Sequence, residues 1–109
     1  MRKTLLASVC CCLILSACKK SPVACIEVDN DVVTTGTAVT FRTCSKKALS
    51  YQWYMTGPTG APENDKAWSE IEFSNTFTVA GSYTVSLTAY QKYSWLGESN
   101  TTETIITVN

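Results

Sequence analysis

The chain has six cysteines and no histidine, and these two facts restrict its chemistry most. Without imidazole, both the commonest general base and the commonest zinc ligand are missing. The cysteines fall into three groups. Cys10, Cys11 and Cys12 stand inside an apolar run, Cys18 ends the segment that follows it, and Cys25 and Cys44 are alone in the remainder. Serine and threonine are plentiful, but no Gly-x-Ser-x-Gly elbow activates one of them. No glycine-rich loop is shaped to cradle a phosphate. The acids sit mostly in turns, where solvation is their ordinary role. Asp29-Asn30-Asp31 and Glu63-Asn64-Asp65 are the most oxygen-rich of these turns. Calcium takes six to eight oxygens, so neither tripeptide holds it alone, and Asp and Asn are common turn formers. Neither catalysis, nor a cofactor, nor a metal is expected.

The first residues read as an export signal. Met1-Arg2-Lys3 is a basic start, and Leu5 to Leu15 is an apolar run of eleven residues broken only by Ser8. A membrane-spanning helix needs about 20 apolar residues, so this run is too short to span. It closes on Leu15-Ser16-Ala17-Cys18, which resembles the lipobox of bacterial lipoproteins. The resemblance implies that residues 1–17 are a cleaved signal peptide. It also implies that Cys18 is acylated, palmitate being among its chains, and becomes the first residue of the mature protein. Residues 18–22 are then a lipidated tether. Lys19 and Lys20 stand where an acidic residue would resemble an inner-membrane retention signal. The expected location is therefore the cell envelope, anchored in the outer membrane. Removing Arg2 and Lys3 from nine basic residues leaves seven against nine acidic, with no basic stripe for nucleic acid.

Beyond the tether, period two dominates. Ala24, Ile26 and Val28 alternate with Cys25, Glu27 and Asp29, and Val39, Phe41 and Thr43 with Thr40, Arg42 and Cys44. Tyr51, Trp53 and Met55 form a third set, and Ile71 and Phe73 begin a fourth that reaches Phe77. Tyr83, Val85, Leu87 and Ala89 form a fifth, and Thr104, Ile106 and Val108 close the chain. Turns are expected at Asp29–Asp31, Ser45–Lys47, Gly57–Gly60, Ala80–Ser82 and Gly97–Asn100. Short strands at this spacing imply an all-β sandwich of about seven strands over residues 23–109. If the first two strands pair antiparallel with residue numbers summing to 69, Cys25 faces Cys44 and Glu27 faces Arg42. Ile26 and Val28 then face Thr43 and Phe41 on the inner side, and a one-residue slip loses every match. A Cys25–Cys44 disulfide is the expectation for a chain in an oxidising compartment.

Val33-x-x-Gly36-x-x-Val39-Thr40-Phe41, Tyr51-Gln52-Trp53 and Phe77-x-x-x-Gly81-x-Tyr83-Thr84-Val85-Ser86-Leu87 together resemble the PKD domain. The resemblance implies an immunoglobulin-like sandwich of the kind common in bacterial surface and secreted proteins. Trp53 is placed like the tryptophan that fills the space between the sheets. Tyr83 is placed to return its hydroxyl to backbone at a tyrosine corner. This chain departs from the family after Trp53, where Tyr54-Met55-Thr56-Gly57 replaces the acidic turn, and Asn75 stands where histidine is frequent.

Tyr90, Tyr93 and Trp95 remain after the core has been assigned. They follow the last inward position, Ala89, and are separated by Gln91, Lys92 and Ser94. Two readings stay open. The aromatics form a platform for a glycan or protein partner, or they fold over an open end of the sandwich as a hydrophobic cap. The expected function is a lipid-anchored, non-catalytic envelope module that binds protein or glycan. The alternative is a structural accessory subunit, stacked through a sheet face on a larger envelope complex. The partners expected are thus the membrane, through the anchor, and an envelope protein or glycan, with no nucleic acid.

Overall fold

Period-two alternation builds the sheets. A computed structural model describes residues 21–109; the expected signal segment 1–17 and Cys18, Lys19 and Lys20 lie outside the described residues. The strands are β1 (Ile26–Val28), β2 (Val32–Val33), β3 (Ala38–Thr43) and β4 (Ser50–Thr56), followed by β5 (Lys66–Trp68), β6 (Glu72–Thr76), β7 (Gly81–Lys92) and β8 (Leu96–Val108). They form two sheets, β1-β3-β6 and β2-β8-β7-β4-β5. Among the described residues only the short β2 pairs parallel, against the end of β8. The all-β immunoglobulin-like sandwich expected from the sequence is the fold observed.

The inward rows meet as expected. Val39 and Phe41 of the small sheet pack on Trp53, Met55, Tyr83, Val85, Leu87 and Ile106 of the large one, all fully buried. Phe73 links the layers. It stacks on Phe41 at 4.9 Å and on Trp68 at 4.4 Å, and presents an edge to Trp53 at 5.1 Å. Aromatic pairs of this kind add about 0.5–1.5 kcal/mol each beyond the area they bury. The Trp53 indole Nε1 donates to the Glu70 carbonyl at 2.8 Å, so its burial strands no donor. The Tyr83 hydroxyl donates to the Val79 carbonyl at 2.6 Å, four residues upstream, which is the expected tyrosine corner. Burial raises the Tyr83 pKa above the usual phenol value, with a smaller contribution from the Glu63 charge.

Two expectations need correction, and two short strands are added. The fourth set does not begin at Ile71, which is exposed beside the strand Glu72–Thr76, whereas Phe73 and Phe77 do face the core. β5 and β2 add pairings that their two or three residues were too few to announce. The turn expected at Gly97–Asn100 lies instead inside β8. The chain reverses earlier, at a short 3-10 turn over Tyr93–Trp95, so β7 and β8 form one long hairpin. Gly97, at φ +80°, accommodates an irregular step near the tip, and a Cβ there would meet the Gln91 side-chain oxygen at 2.7 Å.

The first strand pair has the register anticipated: Ile26 opposite Thr43, Glu27 opposite Arg42, Val28 opposite Phe41. Cys25 and Cys44 are joined, with Cα atoms 4.8 Å apart. Arg42 lies between Glu27 and Glu72, 3.4 Å from each, on the exposed face of the small sheet. Hydrogen bonding to Glu72 is the main cause of its raised pKa. At half exposure these pairs contribute little stability. The disulfide contributes more. Replacing both cysteines by alanine should cost about 3 kcal/mol in the chain-entropy account, read as a lower urea midpoint. An unchanged midpoint would contradict that contribution.

Candidate functional site

The inward alternation of β7 ends at Ala89, and no residue from Tyr90 to Ile105 is fully buried. The hairpin therefore runs on as a projection from one end of the sandwich. At its tip Ser94 and Trp95 adopt left-handed backbone, with φ of 59° and 60°. Such conformations cost roughly 1–2 kcal/mol per residue for side chains other than glycine. Three hydrogen bonds hold the strained turn. Ser50 Oγ donates to the Lys92 carbonyl at 2.6 Å and accepts the Trp95 amide at 3.0 Å. The Trp95 indole Nε1 donates to the Tyr51 carbonyl at 3.0 Å. One edge of the indole is thus tied to β4, yet Trp95 remains 47% exposed whereas Trp53 is at 0%.

The tied indole forms one wall of an open cleft of about 610 Å³. Leu49, Tyr51 and Ile71 supply its other apolar surface, and Ser50, Ser69 and Ser94 its hydroxyls. Among the described residues no charged side chain lines it. Such a surface suits an apolar or amphipathic contact, since it holds neither a nucleophile with a base nor an ion pair.

Of the three aromatics singled out from the sequence, Trp95 alone lines the cleft. Tyr93 stands beside it at the tip, 68% exposed. Tyr90 pairs with Ser50 and Ser99, on the outward side of the large sheet. Leu49 and Ile71 were not anticipated. They come from two separate segments and meet only through the fold, although two apolar residues next to turn signals were visible.

The oxygen-rich turns have other work. Asp29 Oδ1 accepts the Thr40 amide, Asn30 Oδ1 the Val32 amide and Asn64 Oδ1 the Gly57 amide, at 3.0–3.1 Å. Asp65 accepts the Tyr54 hydroxyl, and this bond is the main cause of the raised Tyr54 pKa. Glu63 is buried and accepts from Asn75 Nδ2 at 3.1 Å through Oε2. Among the described residues no group of three His, Cys, Asp or Glu is placed to hold a metal ion.

The sandwich, its corner tyrosine and its inter-sheet tryptophan agree with one further finding: residues 24–104 match the PKD domain. The chain belongs to the PKD domain family. PKD domains are generally non-catalytic, immunoglobulin-like modules, and the family points to an extracellular binding or structural role. No curated protein matches the chain. As a PKD domain it bears its cleft where the β7–β8 hairpin meets the start of β4. Replacing Trp95 by phenylalanine removes one hydrogen bond and should cost about 1 kcal/mol. The same change should lower the share of fluorescence that acrylamide quenches, leaving buried Trp53 and partly buried Trp68. Undiminished quenching in that variant would show that Trp95 is not the exposed indole.

Proposed function

We propose that this PKD domain is a lipid-anchored, non-catalytic module of the bacterial cell envelope, making its contacts through the end of the sandwich that carries Trp95. The single observation that supports this end is the indole itself, rigidly tied at one edge and half exposed beside an uncharged cleft. A side chain held in advance loses little freedom on contact, and buried indoles rank among the strongest anchors of interfaces. The outer face of the large sheet offers less. Its central rows are Thr84, Ser86 and Thr88 beside Thr101, Glu103 and Ile105, with Ile105, Tyr54 and, at the edge, Val32 the large apolar groups exposed there. That composition favours an end-on contact over stacking through the sheet face.

Support for the anchor comes from the sequence, in the basic start, the apolar run and Leu15-Ser16-Ala17-Cys18. Firm attachment by lipid takes more than one chain, since each buried methylene contributes about 0.8 kcal/mol and a single chain holds only marginally. Lys19 and Lys20 support the outer membrane as the location. Labelling cells with a fatty-acid analogue should mark the wild-type protein and not Cys18→Ser, and the variant should leave the membrane fraction. A wild-type protein without label would sink the anchoring.

A further inference from the structure

We propose that the partner of this end is the membrane that anchors the protein: Tyr93, Trp95 and Leu96 rest in the headgroup region of that bilayer. This rests on the reading that Cys18 carries lipid.

The first support is where the chain enters the fold. Ser21 Oγ donates to Glu98 Oε1 at 2.9 Å, and the Ala24 amide donates to Asn100 Oδ1 at 2.7 Å. Pro22 between them is buried. The described part of the tether is thus laid along β8, two residues from Leu96, rather than hanging free. Cys18 precedes Ser21 by three residues, which reach at most about 11 Å when extended. Two further strand residues separate Glu98 from Leu96, about 7 Å, so an acyl group on Cys18 brings the bilayer within about two nanometres of the hairpin tip.

The second support is the placement of exposed apolar groups. Nine large hydrophobic side chains are exposed among the described residues, and six of them gather at this end: Val23, Leu49, Ile71, Tyr93, Trp95 and Leu96. For a domain held in water this would be the wrong end to leave uncovered. At a membrane surface it is the right composition, because tryptophan and tyrosine favour the interface, where one side of the ring is apolar and the other wet.

Charge is mixed at this end: Lys46, paired with Val23, and Lys92, at the tip, stand against Glu70, Glu72 and Glu98, so the seating rests on the tether and the apolar groups. A protein or glycan partner at the same end would instead require the domain to stand off from the bilayer that its tether brings close.

The test uses the lipidated protein and its Trp95→Phe variant, each reconstituted in phosphatidylethanolamine–phosphatidylglycerol vesicles with lipids brominated along the acyl chain. Bromolipid should quench wild-type emission several-fold more than that of Trp95→Phe. Acrylamide, acting from the water, should lose most of the Trp95 component it reaches in detergent-free, unlipidated Cys18→Ser protein. Equal bromolipid quenching of both proteins, with Trp95 still open to acrylamide, overturns the seating while leaving the anchor intact. Protection of Trp95 only when peptidoglycan fragments or a protein partner are added also overturns it. Failure of the anchor is read separately, from absence of fatty-acid label on the wild type.

Discussion

The pairing of β7 with β8 outruns the sheet that faces it, and much of what is distinctive in this molecule follows from that mismatch. Where the small sheet covers the hairpin, every second side chain of β7 is buried. Past Ala89 the ladder continues to Lys92 opposite Leu96 with nothing large enough to bury either face. Backbone hydrogen bonds alone keep a hairpin only marginally stable in water, so the projection needs further attachments. It has them on both sides: Ser50 and Tyr51 from β4 hold the tip, and Ser21 and Ala24 lie along β8. The cleft, the strained turn and the exposed aromatics are the results of bracing an overlong hairpin at its end.

Inside the sandwich the constraint is a different one. Two sheets of unequal width leave an open side where β5 and β6 approach, and Phe73 closes it by stacking between Phe41 and Trp68. Glu63 is tucked into the loop preceding β5, with Asn75 as donor to one oxygen and no partner for the other. Asn75 stands where many PKD domains have histidine, and a neutral amide does there what a carboxylate neighbour requires, which is to donate. Among the described residues, the half-satisfied acid near the buried Tyr83 ring is the one place where this core carries an evident polar cost.

Much of this was legible in the residues. Five runs of alternation each found an inward face, the tyrosine corner was readable from Gly81 and Tyr83, and the Cys25–Cys44 pair followed from matching two strands by charge and apolarity together. The parts that were not legible share a cause. β2 and β5 are too short to show a period, and they form because β8 and β4 offer them an edge. The hairpin tip was misplaced because Gly97 and Asn100 resemble turn formers, while the residues that do turn, Ser94 and Trp95, are unusual in left-handed backbone. Sequence could nominate Trp95, since it lies outside every inward row. It could not bring Leu49 and Ile71 to it, because that juxtaposition depends on three segments distant along the chain.

Alternation has a blind spot that the disulfide covers. Sliding one strand past its neighbour by a single residue exposes the core and is rejected at once. Sliding by two keeps every apolar side chain inward, so hydrophobicity barely distinguishes the right partner from the one two places along. For β1, only three residues long, such an error would leave Arg42 opposite Cys25 or Asp29 and still bury Ile26 or Val28. A thiol pair can close only where the two cysteines meet. The bridge therefore selects among pairings that bury the same apolar surface, and it pins the shortest strand of the small sheet to one of them.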